Sequence, residues 1–240
     1  MEKKHQVHNL IILDESGSME SIKSSIITGF NELVQTIQGI EKQYPDQEHF
    51  ITFQTFNGLR QKMHHFMEPV SKLSQIDEKK YLPDASTPLF DAMGFSINKL
   101  KNALQNQTDY NVLVTIMTDG EENASREFSG NDIKKLIEEL KQNCWTFTYI
   151  GAEHDVKKIA STISINNTLQ FEKNETDIKI MFSKDRKSRE IYSEKILNKE
   201  DTSGGYFEDS EITSKQSTET NSNPTPQSGK SLFEKLFGSR

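Results

Sequence analysis

Apolar positions along this chain follow two alternating rhythms. Residues 7–13 gather Val7, Leu10, Ile11, Ile12 and Leu13 in a compact run, with the length and β-branched content of a strand buried on both faces. After the polar stretch Asp14-Glu15-Ser16-Gly17-Ser18, apolar residues recur at steps of three or four, from Met19 and Ile22 through Ile26, Phe30, Leu33 and Ile37 to Ile40, which marks one face of a long helix. The alternation then repeats. Residues 48–56 and 59–67 read as two strands joined by the turn Asn57-Gly58, a hairpin whose second member should run antiparallel at a sheet edge.

Pro88 opens a helix where its missing N–H costs nothing, and Leu89, Met93, Ile97, Leu100 and Leu104 form the buried stripe. Residues 110–117 are the strongest buried-strand run in the chain. Ser129, with Asp132 three residues on, caps a helix carrying Ile133, Leu136, Ile137 and Leu140. A strand at 145–150, a short helix at 155–162, a last strand at 168–171 and a final helix at 175–196 complete the series. The charged run 184–190 reads as the wet face of that helix, and Cys144, beside Trp145, as packing. Strands alternating with helices predict an α/β fold over residues 1–197. It is doubly wound, with a mostly parallel six-stranded sheet, one antiparallel edge strand and helices on both faces.

Past that point Ser, Thr, Asn, Gln, Pro and Gly take over, so residues 198–228 are expected to be a disordered linker. In 229–240, Leu232, Phe233, Leu236 and Phe237 fall on one face of a short helix, which reads either as a frayed end or as a docking peptide for a partner. A linker of about 30 residues spans roughly 30 Å, enough for Glu234 to return to its own domain.

Composition narrows the function classes. A net charge of −7 gives no basic face, so neither nucleic acid nor membrane is an expected partner. The single cysteine, Cys144, excludes an internal disulfide and a Cys-rich zinc site. The apolar run near the N-terminus is shorter than the roughly 7–15 residues of a secretory core, and no run reaches the roughly 20 residues of a span, so the expected location is cytoplasmic.

Three loops carry small hydroxyls and carboxylates: Asp14-Glu15-Ser16-Gly17-Ser18, Asp84-Ala85-Ser86-Thr87-Pro88 and Thr118-Asp119-Gly120. In an open α/β sheet, ligands gather at the carboxyl ends of the strands, where such loops can meet. Their meeting would set Asp14 near Asp119, which is unfavourable unless a cation lies between them. Hydroxyl and carboxylate oxygens suit a hard cation such as Mg²⁺.

This constellation resembles the von Willebrand factor A family with its metal-ion-dependent adhesion site, in which Asp-x-Ser-x-Ser is followed by a later Thr and a later Asp within Thr-Asp-Gly. The form Asp-x-Ser-Gly-Ser-Met, with Thr-Pro-Leu-x-Asp-Ala after the middle loop, is similar to the small stand-alone bacterial members. The resemblance implies a site of Asp14, Ser16, Ser18, Thr87 and Asp119 holding Mg²⁺ or Mn²⁺. It further implies a non-enzymatic module that captures an Asp or Glu of a partner protein, with binding linked to a shift of the last helix. The family often has Gly where this chain has Ala85. Glu15, Asp84, Glu121 and Glu122 are expected to rim the mouth, so the partner's carboxylate should carry basic flanks.

Two rival readings remain. Asp14 after a buried strand also fits the aspartyl nucleophile of a Mg²⁺-dependent haloacid-dehalogenase-like phosphatase, although Ser16 stands where a second Asp is wanted. Alternatively the domain is a scaffold and its C-terminal tail is the recognition element. Adjacent His64 and His65 point to opposite faces of a strand and do not make a shared metal site. Gly229-Lys230-Ser231 lacks the strand and glycine of a phosphate loop.

Overall fold

The computed structural model describes residues 4–208 except 74 and 154. Six strands, β1 (His5–Asp14), β2 (Gln47–Asn57), β3 (Arg60–Pro69), β4 (Tyr110–Thr118), β5 (Trp145–Gly151) and β6 (Asn167–Gln170), form one sheet in the order β3-β2-β1-β4-β5-β6. Every pairing is parallel except β2 with β3, the expected hairpin at the edge. Helices α1 (Lys23–Gln43) and α5 (Glu175–Asn198) cover one face, and α2 (Leu89–Leu104), α3 (Gly130–Leu140) and α4 (Val156–Thr162) the other.

The period-two alternation of β1 decides which residues meet which layer. Val7, Ile11 and Leu13 join the α1/α5 core, while Leu10 and Ile12 join the α2/α3/α4 core. Each such fully buried aliphatic side chain contributes roughly 1.5–3 kcal/mol. The predicted stripe of α2 is wholly buried, and Ser129 and Asp132 form a reciprocal capping box at the start of α3. On the other face α1 and α5 approach so closely that a Cβ on Gly29 would lie 2.0 Å from the Phe182 ring.

The structure corrects several expectations. The first helical stretch is split, since a 3-10 turn over Gly17–Ile22 precedes α1 and is closed by the Met19 N–H donating to the Ser16 carbonyl. The run 184–190 is not simply a wet face, because Asp185, Ser188 and Arg189 are buried against the sheet. Arg189 donates through Nε to Asp185 Oδ2 (2.8 Å), through Nη1 to Asn9 Oδ1 (3.0 Å) and through Nη2 to Thr115 Oγ1 (2.7 Å). Packing extends past 197: Thr202, Tyr206 and Phe207 are buried, and the Tyr206 hydroxyl donates to Asp185 Oδ1 at 2.9 Å. Cys144 is exposed, in a turn with φ 60°, where its carbonyl accepts from the Val112 N–H.

Among the described residues no helix is long and apolar enough to cross a membrane. The part of the expected linker beyond 208, and the terminal motif with Leu232, Phe233, Leu236 and Phe237, lie outside the described residues.

Candidate functional site

Strand register brings the first two groups together. β1 and β4 are parallel neighbours with Leu13 opposite Met117, so the next residues, Asp14 and Thr118, end the strands side by side. The Asp14 carboxylate is fully buried; Oδ1 accepts from the Ser16 N–H at 2.7 Å and Oδ2 from the Thr118 hydroxyl at 2.6 Å. From below, the Tyr81 hydroxyl donates to the Asp14 carbonyl at 2.6 Å. Burial pushes the Asp14 carboxyl up to about 6, and the nearby Asp119 charge adds to the rise against the hydrogen bonds that oppose it.

Next to it runs a chain of hydroxyls. Ser16 Oγ lies 3.2 Å from Ser18 Oγ, which donates to Asp119 Oδ1 at 2.6 Å. Thr87 enters from the middle loop, which is fastened to both of its neighbours. The Asp84 N–H donates to the Glu15 carbonyl, the Gly17 N–H to the Ala85 carbonyl and the Gly58 N–H to the Ser86 carbonyl. Asn123 Oδ1 accepts from the Thr87 N–H at 2.9 Å. A Cβ on Gly120 would lie 3.4 Å from Thr87 Oγ1 and 4.0 Å from Ser18 Oγ, so the glycine backs directly onto both hydroxyls. Asp14, Ser16, Ser18, Thr87 and Asp119 therefore meet at one end of the sheet.

The donor set decides what such a place could hold. Among the described residues no group of three or more His, Cys, Asp or Glu side chains gathers. A cation at this end would thus be held by three hydroxyls alongside two carboxylates, chemistry that suits Mg²⁺ or Mn²⁺ and not a thiolate- or imidazole-seeking metal.

The expected acidic rim is thinner than the sequence suggests. Glu15 is 1% exposed, not a mouth residue. Its Oε1 accepts from the Leu82 N–H (2.5 Å) and faces Arg60 Nη2 at 3.5 Å, so it fastens the middle loop to the hairpin. Glu122 is half-buried and its carboxylate is occupied, accepting from the Phe90, Ala124 and Ser125 N–H groups and the Ser125 hydroxyl. Asp84 and Glu121 are exposed, and exposed Leu59 and Leu82 flank Arg60 on the hairpin side.

Two residues that sequence reasoning missed matter here, Tyr81 and Lys173, together with the Thr118 hydroxyl, which it placed in the third loop without a role. Lys173 Nζ lies 2.7 Å from Asp119 Oδ2 and 2.7 Å from Glu153 Oε2. Burial works against its charge, but the two carboxylates outweigh it and hold the amine above the ordinary lysine value. Thr118 sits inside the Thr-Asp-Gly signal, whereas nothing local marks Tyr81 or Lys173.

Ala85 carries a local strain. Its φ of 61° is in the left-handed region that favours glycine. Ala85→Gly is expected to stabilise the fold by roughly 0.5–1 kcal/mol, read as a higher urea midpoint. An unchanged or lower midpoint would show that the loop bears the strain at no net cost.

A cavity of about 700 Å³ opens at the opposite end of the sheet, lined by His5, Asp109, Lys141 and Thr202 among others. It mixes both signs of charge and shares no residue with the hydroxyl cluster.

No family model and no curated protein matches this chain in sequence. In three dimensions it is similar to proximal thread matrix protein 1 from the mussel byssus, at 12% identity and TM-score 0.47, covering 75% of this chain and 44% of that one. It is also similar to the SpRpn10 VWA domain, at 12% identity and TM-score 0.46, covering 74% and 93%. The pilus adhesin SpaC from Lactobacillus rhamnosus GG, in its open conformation, aligns at 11% identity and TM-score 0.56, covering 80% of this chain and 30% of that one. The chain thus spans less than half of the thread protein and of the adhesin, and what it shares with the adhesin is the fold alone.

Proposed function

We propose that the carboxyl end of this sheet holds a divalent cation, Mg²⁺ or Mn²⁺, and uses it to capture a carboxylate of a partner protein, as in the small von Willebrand factor A-like modules the sequence resembles. One observation carries the reading. Two buried aspartates and three hydroxyls, drawn together from three loops, converge, with Ser18 already bonded to Asp119 and Thr118 to Asp14. Ser16, Ser18 and Thr87 would supply neutral oxygens, and Asp14 and Asp119 the charge, directly or through water. A cation held largely by neutral oxygens keeps positive charge for an outside carboxylate, which is the chemistry it would supply when bound. The chain's own part is orientation: Tyr81 and Thr118 fix Asp14, and Asn123 fixes Thr87.

The partner surface follows from what is left exposed. With Glu15 buried and Glu122 occupied by backbone donors, Asp84 and Glu121 are left to oppose an acidic approach, while Leu59, Arg60 and Leu82 offer an apolar and basic flank. Basic flanks on the partner are therefore less necessary than the sequence alone suggests, and an apolar neighbour to its carboxylate is favoured.

Calorimetry with MgCl₂ and MnCl₂ tests the cation. Wild type is expected to take up one ion, and Thr87→Ala and Asp119→Asn to lose about 10–100-fold in affinity or more. No heat with either salt, or uptake indifferent to both substitutions, would end the reading. Capture of a partner should then be abolished by EDTA.

The phosphatase alternative is less well supported, because both oxygens of Asp14 accept hydrogen bonds and the carboxylate is wholly buried. Turnover of an aryl phosphate with Mg²⁺, lost in Asp14→Asn, would restore it.

A further inference from the structure

Lys173 approaches the hydroxyl cluster from a side the motif does not describe. It lies between β6 and α5, one residue before Asn174, whose side chain caps α5 by accepting from the Asp177 N–H. The lysine side chain is 14% exposed, and its Nζ touches a fully buried oxygen of Asp119 on one side and Glu153, which is 60% exposed, on the other. The Ser18 carbonyl lies 3.5 Å away. Asp119 is thus shared: Ser18 takes Oδ1 and Lys173 takes Oδ2.

We propose that Lys173 is the chain's own counter-cation for Asp119. It competes with the divalent ion for that carboxylate and passes to Glu153 when the ion loads, which loosens the tether at the start of α5. The inference rests on the cation reading above. An ammonium and a divalent ion drawn to one carboxylate repel each other, so each weakens the other's hold. Glu153 makes the exchange local, because the ammonium already contacts it and keeps a partner when Asp119 turns to the ion. Linkage makes the effect reciprocal: whatever frees Asp119 of Lys173 raises cation affinity, and loading frees Lys173.

Manganese uptake by the full chain, read by calorimetry, tests this. Lys173→Met is expected to bind Mn²⁺ about tenfold tighter than wild type, within the usual range of coupling between two sites. Glu153→Gln is expected to bind it more weakly, because the ammonium is left with Asp119 alone, and that loss should vanish in the Lys173→Met background. Mere removal of a negative charge would persist there. Amide exchange over residues 171–178 should rise on adding Mn²⁺ to wild type and stay unresponsive in Lys173→Met.

If wild type binds Mn²⁺ while Lys173→Met binds it equally or less well, the lysine is only a positioning residue; the proposal is overturned and the cation reading stands. If neither protein binds Mn²⁺, both fall. Should Lys173→Met fail to fold, the exposed Glu153→Gln decides, and unchanged affinity in it overturns the proposal.

Discussion

Arg189→Leu is expected to lower the stability of the fold by about 3–5 kcal/mol, the cost of removing one partner of a buried ion pair. Its guanidinium is 2% exposed and its three donor nitrogens are all placed, on Asp185, Asn9 and Thr115. The substitution takes from the fully buried Asp185 carboxylate its cationic partner and leaves it the Tyr206 hydroxyl. Two apolar residues in place of the pair should be far less harmful, so Asp185→Leu/Arg189→Leu is expected to lose much less than the two single changes added together. Urea unfolding of the four proteins measures this. Additive losses would mean that the two side chains act independently, and a single-variant loss under about 1 kcal/mol would mean that the pair does not hold α5 to the sheet.

Acidification is the second large lever. His8 and His49 are 1% and 2% exposed, each with a ring Nδ1 that has no hydrogen-bond partner among the described residues. Burial, with the charge of His5 adding to it, lowers His8 to about 4. Burial, then the charges of Arg189, His5 and His8, lowers His49 to about 3. In the unfolded chain both imidazoles titrate near the ordinary 6.5. Between that value and the lowered ones the unfolded chain binds more protons, so their contribution is full above pH 6.5 and is lost as pH falls toward 4 and then 3. The loss is roughly 3 kcal/mol or more for each ring. Asp14 acts in the opposite sense: its raised value means that the fold gains from protonation as pH drops below about 6, which offsets part of the histidine loss. The urea midpoint should therefore fall between pH 6.5 and 4, and more shallowly in His8→Phe, whose ring can keep the stack on Phe50. A midpoint constant from pH 7 to 4.5 would refute the assignment of these rings as buried and neutral.

The candidate site was readable to the extent that it follows from strand ends. Asp14 and Thr118 finish neighbouring parallel strands, and Thr87 immediately precedes the α2 cap, so convergence of the three loops needed only the topology. The fate of the surrounding carboxylates was not readable. Glu15 and Glu122 look like solvated loop residues in sequence, yet the first receives the Leu82 N–H 67 residues away and the second the Phe90 N–H at the start of α2. A backbone donor that folding strips of water must find an acceptor, and the nearest carboxylate is drawn in to serve it. Such demand arises only once the loops are stacked.

The same division runs through the whole molecule. Hydrophobic periodicity by itself set the number and order of the strands and α-helices, though not the 3-10 turn that splits off the start of the first helix, because period two and period 3.6 are properties of a local backbone and of which side chains share a face. It also set the antiparallel edge, through the short Asn57-Gly58 turn, and the cap of α3, through Ser129 and Asp132. Tertiary structure alone decided that Arg189 and Asp185 lie inside, that residues 199–208 pack back through Thr202, Tyr206 and Phe207, and that Lys173 reaches Asp119. Those contacts join segments far apart in sequence, where a charged residue can be solvated or paired and no local pattern tells which; the pairing is chosen by the desolvation that packing imposes.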